Sequence, residues 1–149
     1  MKLVGLLLAL IVGLSAADKV VYVYNWSEYM PDAVIKQFTK ETGIKVKYST
    51  YDSNEAMYAK IKTTGGSSYD IIVPSTYFVN KMAREGLLAK LDKTKLTNYK
   101  NLDSKLLNKP FDAKNDYSIP YLWGSTGISY NAKTLGENAV KSWSDLWNP

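Results

Sequence analysis

The alternation of elements along this chain predicts an α/β fold with a parallel-dominated sheet flanked by helices, and three observations carry the expectation. Lys19 to Tyr24, Ile44 to Tyr51 and Tyr69 to Val73 are short runs that are rich in β-branched and aromatic residues or alternate apolar with polar, as strands do. The segments between them space their apolar residues three to four apart over about three turns, as helices do. A strand, helix, strand, helix, strand order with crossovers of that length implies right-handed connections and parallel strands.

The elements follow in order. Lys19 to Tyr24 is a buried strand, and Pro31 then stands at a first helical position. Val34, Ile35 and Phe38 recur at helical spacing until Gly43 stops them. In the next strand Ile44, Val46 and Tyr48 alternate with Lys45, Lys47 and Ser49. Asp52 with Glu55 resembles a capping box for a helix through Met57, Tyr58 and Ile61, closed by Gly65-Gly66. Tyr69 to Val73 is the third strand, ended by Pro74, and a helix through Val79, Met82 and Leu87 follows with Gly86 near its end. Lys90 to Asn115 has no clear period and reads as a surface excursion with short helical turns. Tyr117 to Asn131 returns to strand-like composition broken by Pro120 and Gly124, and Ser142 with Asp145 resembles a further helix start. A strand re-emerging and a helix beginning just before Pro149 predict a truncated reading frame or an N-terminal fragment.

Composition narrows the chemistry. Met1-Lys2, the apolar run Leu3 to Leu14 and the small residues Ser15-Ala16-Ala17 read as a signal peptide over 1–17, cleaved after Ala17. With no cysteine there is no lipid anchor, disulfide or Cys-ligated metal; without histidine too, triads and the usual zinc and iron ligand sets are closed. An enzyme is therefore not expected, although a carboxylate-pair hydrolase stays formally open. The formal net charge of +5, one unit of it from Lys2, is spread over lysines interleaved with acids, which reads as solvated surface and not as a nucleic-acid face.

The site expectation comes from topology. Open α/β sheets bind ligands outside the carboxyl ends of their strands, where strand order reverses. Asn25-Trp26-Ser27-Glu28-Tyr29 follows the first strand and Pro74-Ser75-Thr76-Tyr77 the third, so two aromatic-plus-hydroxyl clusters share that edge. The competing reading makes these aromatics caps on the core. Tyr22, Tyr24 and Tyr48 are expected in core or face packing, Glu28 near a helix dipole, Asp70 as a turn cap, and Trp123, Trp143 and Trp147 in packing.

The stretches "YNWSEYMPDAVIKQFTKETGIKVKYSTYDSNEAMYAKIKT", "YDIIVPSTYFVNKM" and "YSIPYLWGSTGISYN" closely resemble the spermidine/putrescine-binding periplasmic proteins of bacterial polyamine ABC importers. The resemblance runs from about residue 19 to the end. It implies a type II periplasmic-binding-protein-like fold whose two α/β lobes close on a polyamine. The first lobe would span 18–123, and 124–149 would hold a hinge-crossing strand and the start of a truncated second lobe. Ligand-binding residues carried over position by position are Trp26, Ser27, Tyr29, Ser75 and Tyr77, with no catalytic residue, metal or cofactor. Thr76-Tyr77-Phe78 looks like the spermidine-preferring branch, and the acidic ligand residues are expected beyond Pro149. The implied protein is a periplasmic monomer without a membrane anchor that hands its ligand to an ABC permease. Rivals are the same fold carrying an iron complex, a thiamine-like cation or an organic anion. Against the anion, the single arginine, Arg84, lies outside both clusters.

Aromatic and hydroxyl residues suit such a ligand. Ring faces attract ammonium groups by about 0.5–1 kcal/mol when exposed and about 2 when desolvated, and they also cover methylenes. A buried ammonium left without a carboxylate costs about 3–5 kcal/mol, so acidic partners are required as well.

Overall fold

The computed structural model describes residues 19–147, and the expected signal segment over 1–17 lies outside the described residues. The chain divides into two compact units, one running to Ile119 and one from Pro120. In the first, β1 (Val20–Trp26), α1 (Asp32–Thr42), β2 (Lys45–Tyr51), α2 (Asn54–Thr64), β3 (Ile71–Ile72) and α3 (Thr76–Arg84) follow the predicted alternation. The sheet has the order β2-β1-β3 with both pairings parallel. Register runs from Val20 opposite Lys45 to Trp26 opposite Tyr51 on one side, and sets Val23 and Tyr24 opposite Ile71 and Ile72 on the other.

Five details differ from the expectation. β1 continues past Tyr24, so Asn25 and Trp26 still belong to the ladder. Pro31 is the residue before the first helical turn and not within it; α1 ends where Gly43, at φ 70°, takes the left-handed conformation and its N–H reaches the Thr39 carbonyl. The α2 cap is Ser53, whose Oγ accepts from Ala56 N–H at 3.2 Å, because the Asp52 carboxylate is taken by the Ser27 hydroxyl. β3 is only two residues long, but its pairing extends outward through Asp70 N–H to Tyr22 C=O and Val73 N–H to Tyr24 C=O before Pro74, which has no N–H, ends it. Asp70 caps this ladder and not a turn: its Oδ2 accepts from Tyr22 N–H at 2.8 Å.

The core gathers Tyr24, Tyr51, Met57, Ile61, Phe78 and Met82, from the carboxyl half of β1, the end of β2, and the inner faces of α2 and α3. Tyr22, toward the start of β1, falls outside this cluster and is 47% exposed, and Tyr48 is half-buried. Tyr24 stacks on Tyr69 with centroids 4.5 Å apart, and Lys60 Nζ lies 4.8 and 5.2 Å from the two rings. The hydrogen bond with Lys60 lowers the Tyr69 pKa and raises that of the lysine. A second cluster ties α2 to α3: Tyr58 donates to Glu85 at 2.5 Å, Lys81 meets the other oxygen at 2.5 Å, and Lys62 and Lys81 lie over the Tyr58 ring. Lys81, with Tyr58 and then the charge of Lys62, pulls the Glu85 pKa down to about 2.

The excursion after α3 carries 3-10 turns at Lys93–Lys95, Tyr99–Asn101 and Ser104–Leu106, as its composition suggests. Buried Asp112 gathers its end by accepting from the N–H groups of Asp116, Tyr117 and Ser118 at 2.8–3.0 Å. Burial raises its pKa, but these bonds outweigh that and leave it lowered.

The second unit contains α4 (Ala132–Leu135) and a 3-10 turn at Trp143–Trp147. The strand expected over Tyr117 to Asn131 does not form. Its backbone is irregular up to α4, since β-like composition becomes a strand only with a neighbouring ladder, and the ladders among the described residues join β1 to β2 and β3. Asp145 does reach back to accept from Ser142 N–H at 2.8 Å, the expected cap contact. The packing expected of Trp123, Trp143 and Trp147 is not found: they are 75%, 57% and 85% exposed, because so short a unit cannot enclose an indole. No helix among the described residues is long and apolar enough to cross a membrane.

Candidate functional site

Because all three strands are parallel, the residues that follow β1, β2 and β3 emerge on one edge of the sheet. In the order β2-β1-β3 the second strand is added on one side of β1 and the third on the other, so strand order reverses between β1 and β3, the position where such sheets hold ligands.

The first predicted cluster forms a turn closing β1. Trp26 is half-buried, packs on the core, and its ring lies 4.8 Å from Tyr51 and 6.1 Å from Tyr29. Tyr29 N–H points back to the Trp26 carbonyl, and between them Glu28 takes the left-handed conformation at φ 62°, exposed in the turn and outside any helix. The strain of that conformation in a non-glycine residue is modest. Ser27 bonds twice toward β2: its N–H to the Tyr51 carbonyl at 3.3 Å and its hydroxyl to Asp52 Oδ1 at 2.7 Å. Asn25 is 1% exposed, and its Oδ1 accepts from Trp26 N–H at 2.8 Å.

The second cluster opens α3. Ser75 is half-buried and Tyr77 is 62% exposed, with its ring 5.1 Å from Phe78. Both are held by Asn54, the first residue of α2: Nδ2 donates to Ser75 Oγ at 3.0 Å and to Tyr77 OH at 2.8 Å, and Oδ1 accepts from Ser75 N–H at 3.0 Å. Tyr51 links the two clusters, with its ring against Trp26 and its hydroxyl donated to the Val73 carbonyl, two residues before Ser75. Burial, followed by the neighbouring Tyr24, Tyr29 and Tyr48, pushes the Tyr51 phenol well above its ordinary pKa, so it stays a donor.

The structure therefore pairs Trp26 with Tyr29, joins Ser75 to Tyr77 through Asn54, and engages Ser27 with Asp52. The sequence reading omitted Asn54, Tyr51 and Asp52. The signal lies in the same edge rule, which after the second strand selects Tyr51-Asp52-Ser53-Asn54.

Chemically this edge offers ring faces and neutral hydroxyls, with Asp52 the carboxylate bonded into it. Among the described residues no three carboxylates gather as a metal site would require. A cavity of about 380 Å³ lies at the other end of β3, between Gly65–Asp70 and Gly86–Ala89. It contains none of the five predicted site residues, and the Asp70 carboxylate in its wall is already bonded to Tyr22.

Comparison with known proteins bears on the fold and the family. A family model described as bacterial extracellular solute-binding protein matches residues 25–148. The spermidine/putrescine-binding periplasmic protein of Escherichia coli K12 is 57% identical over 145 residues, which is 95% of this chain and 42% of that protein. Spermidine/putrescine-binding periplasmic protein 1 of Haemophilus influenzae is 54% identical over 136 residues, 91% of this chain and 38% of the relative. Among solved structures, the spermidine/putrescine ABC transporter substrate-binding protein PotD from Streptococcus pneumoniae, in complex with calcium and HEPES, superposes with a TM-score of 0.76 at 48% identity, covering 87% of this chain and 40% of that one. The chain spans about two-fifths of the length of the relatives it matches. The expected α/β, periplasmic-binding-protein-like fold class stands, and with the family model covering most of its length the chain belongs to the bacterial extracellular solute-binding protein family.

Proposed function

We propose that this chain supplies the first lobe of an extracytoplasmic receptor that captures a polyamine, spermidine or putrescine, and delivers it to an ABC-type permease. The observation that carries the reading is the edge at the β1/β3 reversal, where Trp26 and Tyr29 face one side of the switch point and Ser75 and Tyr77 open the other. The names of the relatives at 57% and 54% identity support the choice of ligand. In this reading Trp26, Ser27, Tyr29, Ser75 and Tyr77 contact the ligand and no residue is catalytic. Residues 1–17 are removed on export to the periplasm, 18–123 form the first lobe, 124–149 lead toward the second, and the protein acts as a monomer without a membrane anchor.

Calorimetric titration of a full-length chain carrying this segment tests the proposal, with spermidine, putrescine, a ferric complex and thiamine as ligands. Saturable binding of a polyamine in preference to the others is the expected result. Absence of polyamine binding, or tighter binding of another solute, overturns it.

A further inference from the structure

We propose that Asn54 is a positioning residue whose buried amide pre-organises Ser75 and Tyr77, holding an exposed aromatic ring still before any ligand arrives. Asn54 is only 3% exposed, yet its three side-chain hydrogen bonds to Ser75 and Tyr77 all leave α2 for the segment that follows β3. Its orientation is fixed by chemistry. Ser75 N–H can only donate, so the atom facing it is Oδ1, and Nδ2 must face the two hydroxyls. Both hydroxyls therefore accept from Asn54, and each keeps one hydrogen and one lone pair for other partners. A hydroxyl in that state can accept from an ammonium while donating to a carboxylate, the combination a protonated polyamine and its acidic partner present.

Tyr77 shows what this holding achieves. A ring 62% exposed ordinarily samples several rotamers, and ordering it on binding costs affinity. Here the 2.8 Å bond from a buried amide fixes its far end while the contact with Phe78 supports one side. The ligand class rests on the polyamine reading, whereas the pre-organisation does not.

The test uses a full-length chain with 3-fluorotyrosine at position 77. In ligand-free protein Asn54→Leu is expected to shift or broaden the fluorine resonance, and Asn54→Asp, which can still accept from Ser75 N–H and Tyr77 OH, to keep it sharp. Spermidine affinity should fall about tenfold in Asn54→Leu, the order expected when one or two hydrogen bonds no longer order the site. In a Ser75→Ala/Tyr77→Phe background the same substitution should cost less than about twofold, since the partners it acts through are gone. Should Asn54→Leu fail to fold, Asn54→Ser, too short to span the contacts, is measured in the same way. An unchanged resonance overturns the proposal, as does an affinity loss that persists undiminished in the double-mutant background. If the unsubstituted chain binds no spermidine, the polyamine reading falls and the ligand-free resonance alone decides the role of Asn54.

Discussion

Two sets of aromatic rings in the first unit differ in what occupies their faces. Tyr24 and Tyr69 hold Lys60, and Tyr58 holds Lys62 and Lys81, so these rings already bind the protein's own ammonium groups. At the carboxyl edge Trp26 and Tyr77 touch other rings instead, and among the described residues no lysine lies over either. The same attraction serves both places. Where sequence supplies a lysine at the right spacing the ring is part of the scaffold; where it does not, the ring can serve a cation from outside. Residue type alone therefore does not mark a site.

The comparison is broken most directly at Trp26. In a full-length chain Trp26→Leu keeps apolar bulk and removes the π face, and polyamine affinity is expected to weaken by about 1–2 kcal/mol, roughly five- to thirtyfold. The melting temperature should fall too, because the indole packs on Tyr51. Calorimetry beside thermal unfolding separates the effects, and lost stability with intact affinity would assign Trp26 to the core.

A smaller change should come from the scaffold set. Lys60→Met removes the cation from Tyr24 and Tyr69 but keeps the stem, so a slight drop in melting temperature with unchanged polyamine affinity is expected. Altered affinity would erase the distinction between the two sets.

The smallest effect belongs to Glu85 and is a matter of pH. Its pKa falls from the ordinary 4.5 to about 2 on folding, so the group favours the folded state above 4.5 and loses that contribution as pH drops toward 2. The melting-temperature advantage of the unsubstituted chain over Glu85→Gln should accordingly be constant near neutrality and shrink across that window. An advantage that does not change with pH would show that the cluster holds by geometry and not by charge.

Much of this was legible in the sequence because the signals are local. Periodicity located the strands and helices of the first unit to within a few residues, and the edge rule brought Asn25 to Tyr29 and Pro74 to Tyr77 to one edge of the sheet; the choice of Trp26, Ser27, Tyr29, Ser75 and Tyr77 within them came from the resemblance. The misses share a cause in tertiary context. Asp52 looks like a cap until Ser27 claims its carboxylate and leaves the role to Ser53. Asn54 looks like an ordinary first-turn residue because its partners are more than twenty positions away. Tyr117 to Asn131 has β-like composition but no ladder among those described, and Trp123, Trp143 and Trp147 lack enough surrounding chain in their unit to be buried.

The β2-β1-β3 order also sets the earliest point in synthesis at which each pairing can form. Once residue 51 has been made, β1 can pair with β2, but its other side stays open until Asp70 to Val73 arrives after a helical crossover. Only then can Tyr51 meet the Val73 carbonyl and Asn54 meet Ser75 and Tyr77. The two halves of the aromatic edge thus become available at different points: Trp26 and Tyr51 can meet once β2 is made, whereas Ser75 and Tyr77 can join them only after the whole sheet has been synthesised.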